Sequence, residues 1–160
     1  MLKYLYLNPQ VMFMSRVLDT KSYLDTVCDL LREGHTHVSV TVAGTSMTPF
    51  LDPGDTVFLD LLQRPAQVGD VILFARFGVK YVLHRVVRVF PDGSLELLGD
   101  AQVRSERVLP EQVRAVVTAV RRGEKLLDER SLRWRFFQGP WRHVRRLRPW
   151  VNRIRNHVRR

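Results

Sequence analysis

Long apolar runs are missing from this sequence: none approaches the ~20 residues that a helix needs to cross a bilayer. The most apolar opening, Met1 to Met14, is broken by Lys3, Asn8, Pro9 and Gln10. It lacks the basic start and small-residue cleavage site of a secretory signal, and it reads as a packed or frayed arm. A single cysteine, Cys28, excludes an intramolecular disulfide, so nothing requires an oxidising compartment. Cys28 itself reads as a small buried hydrophobe on a helix. Glycine-rich phosphate loops and internal repeats are absent. Acidic residues are absent too from Arg130 to Arg160, where eleven arginines stand. Residues 1–129 carry fifteen basic and sixteen acidic side chains, so the net charge of +10 belongs to this last stretch and says little about the rest. The expected location is cytoplasmic, with peripheral attachment to a membrane as a further option.

What is present suits one compact domain with an appendage: 160 residues, 45% apolar and 26% charged. Leu24, Val27, Cys28 and Leu31 recur at helical spacing within Ser22 to Glu33; Ser22 with Asp25 fits the cap and Gly34 the stop. The pattern then turns to strands. Val38 to Val42 alternates, and Thr56 to Leu59, Val71 to Phe74, Tyr81 to Val89, Leu95 to Leu98 and Val113 to Val120 are apolar or alternating runs. Turn signals separate them at Asp52-Pro-Gly-Asp, Gly69-Asp, Phe77-Gly, Pro91-Asp-Gly and Arg122-Gly. Many short strands at close spacing predict a mainly β fold, a folded-over sheet or small barrel. The expected division is an arm and helix over 1–36, a β domain over 37–127, and an arginine- and tryptophan-rich tail with helical pieces over 128–160.

Chemistry enters at Gly44-Thr-Ser-Met-Thr-Pro-Phe-Leu-Asp-Pro-Gly-Asp, where a β run leads into Gly-x-Ser-Met-x-Pro and out through Gly-Asp to a second β run. Val68-Gly-Asp-Val-Ile-Leu-Phe, Leu83-His-Arg-Val-Val and Leu98-Gly-Asp-Ala-Gln follow in that order. Together these four boxes resemble those of the signal peptidase I family and its relatives, the self-cleaving SOS repressors, over roughly residues 38–120. The resemblance implies their β catalytic fold and a serine endopeptidase acting on a precursor, signal or leader peptide, with Ser46 as nucleophile. Where many members carry a lysine base this chain carries His84, which resembles the histidine branch.

A serine hydroxyl attacks only when a base takes its proton. A lysine base must be brought from ~10.4 toward neutrality, a differential of about 4 to 5 kcal/mol; an imidazole starts near ~6.5 and needs no such burial. Strand alternation puts Val82, His84 and Val86 on one face, expected inward, and Leu83, Arg85 and Val87 on the other. Lys80 shares the His84 face and is the rival base by parity. Asp100 is the expected third member of the triad, with Glu106 as the alternative acid. The oxyanion is expected to meet the Ser46 backbone N–H. Gly44 stands where many signal peptidases place a serine hydroxyl, and Met47 and Pro49 are expected to shape the turn and the floor beneath the substrate. His35 and His37 would share one strand face, but no cysteine or carboxylate cluster completes a metal site, so neither metal nor cofactor is expected.

Two other readings compete with the peptidase: a self-cleaving repressor relative, and an inactive fold serving as a binding module. About 34 residues before the β domain are too few for a helix-turn-helix domain. All three tryptophans lie in the tail, and tryptophan with arginine is the composition of a membrane interface. Residues 130–160, with Trp150, Ile154 and Val158 on one helical face, are therefore expected to prefer an anionic membrane surface to nucleic acid and to be dispensable for cleavage.

Overall fold

A computed structural model describes residues 20–141 and residue 143. The expectations for Met1 to Met14 and for the face of Trp150, Ile154 and Val158 fall outside the described residues. Helix α1 runs Thr20–Arg32, followed by strands β1 (Val38–Thr41), β2 (Thr56–Asp60), β3 (Val71–Arg76), β4 (Lys80–Val89), β5 (Leu95–Leu98) and β6 (Glu106–Val108). A 3-10 turn (Pro110–Gln112), β7 (Val113–Arg122), β8 (Lys125–Leu127) and helix α2 (Leu132–Gln138) complete the described chain. The strands form one antiparallel sheet ordered β1-β2-β7-β3-β4-β5-β6, with β8 added to β7.

Alternation in β3 explains how one sheet carries two apolar layers. Leu73 joins Ala115, Val117, Val57 and Leu59 on one face, under α1, Met47, Phe50 and α2. Ile72 and Phe74 point the other way and meet Val86, Leu95, Leu97 and Val108. Among the described residues no helix contributes to that second layer, so its strands bury one another, which requires the sheet to fold over. Register breaks at Phe58/Leu59, Leu73/Phe74 and Val86/Arg88 supply the bends. Both faces of β4 are consequently buried at its centre: His84, Arg85 and Val86 are 2%, 0% and 0% exposed. The alternation predicted for β4 holds, but the face carrying Arg85 is as deeply buried as the face carrying His84.

The first helix starts two residues earlier than its predicted cap. Ser22 lies inside it, its carbonyl accepting the Thr26 hydroxyl at 3.0 Å. Asp25 pairs with Lys21 at 2.7 Å and accepts the Tyr81 hydroxyl at 2.5 Å, which ties α1 to β4. Cys28 is buried as expected, and that burial pushes its thiol pKa up. His35 and His37 do not share a strand: both precede β1, and His37 sits at φ 55° with Nδ1 2.9 Å from Asp60 Oδ2. Among the described residues no group of His, Cys, Asp and Glu is arranged to hold a metal ion, and no helix is long and apolar enough to cross a membrane.

The largest departure concerns the start of the tail. Ser131 caps α2, accepting the Trp134 N–H at 3.2 Å. Trp134, Phe137 and Trp141, spaced three and four apart, then fall on one side of the segment and are 6%, 5% and 5% exposed within the first core layer. Residues 132–141 are therefore part of the folded domain and not an appendage to it. We expect Phe137→Ala to lower stability by about 3–5 kcal/mol, measured as urea unfolding. Phe136→Ala, at a ring 47% exposed, should cost far less. Equal small effects would show that α2 is only loosely attached.

Candidate active site

Ser46 opens a turn within the connection between β1 and β2 (residues 42–55), and three sets of bonds hold that turn. At its base, the Val42 N–H donates to Asp55 O and the Gly54 N–H to Val42 O, both at 2.8 Å. Arg122 donates to the Asp55 carboxylate through Nε at 2.8 Å and through a second, shorter bond, and also to Phe50 O at 3.0 Å. Burial, the largest influence on Asp55, raises its pKa, but Arg122 and the Asp52 N–H together outweigh it and hold the carboxyl below its usual range. Within the turn, the Thr48 N–H and hydroxyl both donate to Thr45 O. Beneath it, Met47 and Phe50 are 2% and 0% exposed. Met47 thus packs in the core, while Pro49 is half-buried with its carbonyl taken by Arg133. Gly44 is exposed, with nothing within 4 Å of where a Cβ would stand.

The third attachment joins Ser46 to the box after β5. The Ala101 N–H donates to Ser46 O at 2.9 Å. That approach explains Gly99: a Cβ there would stand 2.6 Å from Ser46 O. Asp100 is fully buried and turned to Arg85, which grips it through Nε at 3.0 Å and Nη2 at 2.7 Å. The remaining Arg85 nitrogen donates to Gly69 O at 2.9 Å, and the guanidinium lies 4.6 Å from the Phe50 ring centre. Three of the four boxes thus meet on one buried arginine, which the sequence reading passed over. An arginine inside an apolar strand implies a buried carboxylate partner, so the position after His84 carried a usable signal.

His84 points to the opposite face of β4, opposite Ile72 and near Phe74, ring centres 5.9 Å apart. Its Nδ1 lies 3.0 Å from Glu106 Oε1. The contact is bent, however: neither ring nitrogen has a well-aligned hydrogen bond, and the Ser46 hydroxyl does not bond the imidazole in this structure. Resting enzymes often hold such contacts long until substrate tightens them. Burial is the main influence on the imidazole and lowers its pKa; Glu106 opposes that and Arg76 adds to it. Arg76 reaches the same carboxylate with Nε on Oε2 at 2.8 Å and a second, shorter bond to Oε1. Of the two candidate acids, then, Glu106 faces the His84 ring while Asp100 is engaged by Arg85. Lys80 lies exposed at the hairpin end of β4, paired across the ladder with Arg76.

The profile of the Peptidase S24-like family matches residues 10–120. The chain belongs to this family. It is the serine-peptidase family of the signal-peptidase and SOS-repressor superfamily, and the open, folded sheet agrees with it. No curated protein gives a significant match.

The two carboxylates should respond differently to neutralisation. Asp100→Asn leaves Arg85 charged and unpaired in the core and should cost about 3–5 kcal/mol in urea unfolding. Glu106→Gln, at a partly exposed side chain, should cost little stability. Because Glu106 raises the His84 pKa and Arg76 lowers it, Glu106→Gln should move the imidazole titration, followed by NMR, to lower pH, and Arg76→Gln should move it to higher pH. Shifts in the reverse directions would mean that His84 does not titrate against this pair.

Proposed function

We propose that this S24-like chain is a serine endopeptidase that cleaves a precursor or leader peptide, with Ser46 as nucleophile, His84 as general base and Glu106 as the acid that orients it. The observation that carries this reading is the placement of His84: a buried imidazole, its charged form disfavoured, with a carboxylate on Nδ1. Glu106 favours the tautomer with the proton on Nδ1, which leaves the Nε2 lone pair to act. In the proposed reaction Nε2 takes the Ser46 proton as Oγ attacks the scissile carbonyl carbon. The tetrahedral oxyanion is met by backbone N–H groups of the Ser46 turn. The imidazolium then protonates the departing amine, leaving an acyl ester on Ser46. A water, deprotonated by the same imidazole, hydrolyses the ester and restores the enzyme.

Asp100 serves this scheme indirectly, by anchoring the loop whose amide holds Ser46. Gly44 brings no hydroxyl to the oxyanion, so stabilisation rests on the backbone. The self-cleaving alternative shares every one of these groups and differs only in where the cleaved peptide lies. A peptide library incubated with the purified protein separates the readings. Cleavage in trans that Ser46→Ala abolishes, with unfolding midpoint unchanged, supports the proposal. Scission of the chain itself without turnover of added peptide would favour the repressor-like reading. Turnover retained by folded Ser46→Ala would remove Ser46 from the mechanism.

A further inference from the structure

Helix α2 and Trp141, three residues beyond its end, touch the Ser46 turn and the turns next to it at several points. Trp134 and Phe137 both pack on Phe50, ring centres 5.3 Å apart in each case. Arg133 donates to Pro49 O, two residues past Met47 in the same turn. Gln138 lies against Gly69 so closely that a Cβ there could not fit, and Gly69 O is one of the acceptors of Arg85. Trp141 Nε1 donates to Asp100 O at 3.2 Å.

The last contact falls on a particular peptide group. The carbonyl of Asp100 and the N–H of Ala101 belong to the same planar amide. Trp141 holds the oxygen end of that amide, and the nitrogen end donates to Ser46 O at 2.9 Å. Rotation of the plane would break both bonds at once, and each bond polarises the amide in favour of the other. The Asp100 side chain is already committed to Arg85, so it fixes the residue but not the orientation of the amide after it.

We infer that Trp141 is a positioning residue for the nucleophile: its indole N–H sets the orientation of the Asp100–Ala101 amide, which holds the Ser46 carbonyl and with it the turn that presents Oγ. Its catalytic consequence rests on the proposed peptidase reading; its effect on the amide does not. The segment after the β domain is on this account part of the active-site scaffold, and shortening the chain before α2 disables Ser46 even where the sheet survives.

The test uses the full chain with Trp141→Phe, which keeps an aromatic ring against Phe137 at the 5.2 Å contact and removes the donor. A second variant, with 3-benzothienylalanine placed at position 141, keeps the bicyclic ring and exchanges only the N–H for sulfur. It serves where the smaller ring unfolds the protein. Two readouts are compared with wild type: amide hydrogen exchange at Ala101, and the rate at which a fluorophosphonate probe labels Ser46, with Ser46→Ala as the blank. Exchange at Ala101 should quicken about fivefold to tenfold, the equivalent of one ordinary hydrogen bond. Amides of the β3–β7 ladder should be unchanged, and labelling should slow by a similar factor. Unaltered Ala101 exchange in the folded variants overturns the inference. Faster exchange with unaltered labelling overturns its catalytic part. Faster exchange in a protein whose wild type labels no more than Ser46→Ala supports the role in holding the amide and counts against the peptidase reading.

Discussion

The buried pair between Arg85 and Asp100 organises this molecule. Both side chains are essentially without solvent contact, and each satisfies the other in a core that could not otherwise hold either charge. A buried ion pair adds little net stability compared with well-packed apolar groups, but it is strongly directional. Arg85 presents a fork of donors, and every arm is used: two nitrogens on Asp100 and one on the Gly69 carbonyl, with the flat face toward Phe50. The turn after β2, the turn after β5 and the Ser46 turn are thereby drawn to one point of β4.

That arrangement also decides which carboxylate is left for His84. Asp100 and His84 are both close to Arg85, one through space and one through sequence, yet strand alternation sends Arg85 and His84 to opposite faces. Asp100 follows the arginine. Glu106, at the start of β6 and opposite Leu97 on β5, is brought round to the imidazole by the fold of the sheet. Arg76 on β3 completes the second group, holding the Glu106 carboxylate and opposing charge on the ring. Two Arg–carboxylate pairs thus lie on the two faces of one sheet, Arg85–Asp100 beside the Ser46 turn and Arg76–Glu106 beside the His84 ring.

Much of this was legible in the sequence because most elements announce themselves locally. Alternating or short apolar runs marked β1 to β5 and β7, and glycine-containing turn signals marked the breaks between them. Strand β6 was missed because Glu106-Arg-Val is too short to show a period, and β8 for the same reason. The choice between Asp100 and Glu106 was not legible, since both spacings are compatible with a triad and the competition for Arg85 is settled only in space. Helix α2 was misread for a different reason. The spacing of Trp134, Phe137 and Trp141 is that of an apolar stripe, but the arginines between them and after them match an interfacial composition equally well. Composition cannot tell a core face rimmed by cations from a surface meant for lipid.

The proposed mechanism needs His84 to be a buried imidazole whose charged form is disfavoured, with Glu106 beside Nδ1 and Nε2 available to take the Ser46 proton. The most direct measurement is a pH titration of the His84 ring by nitrogen-15 NMR, which reports both its pKa and its tautomer. The account predicts a pKa below the ordinary imidazole value of about 6.5 and, in the neutral form, a proton on Nδ1. A ring that is still charged near neutral pH, or one that carries its neutral proton on Nε2, would contradict it.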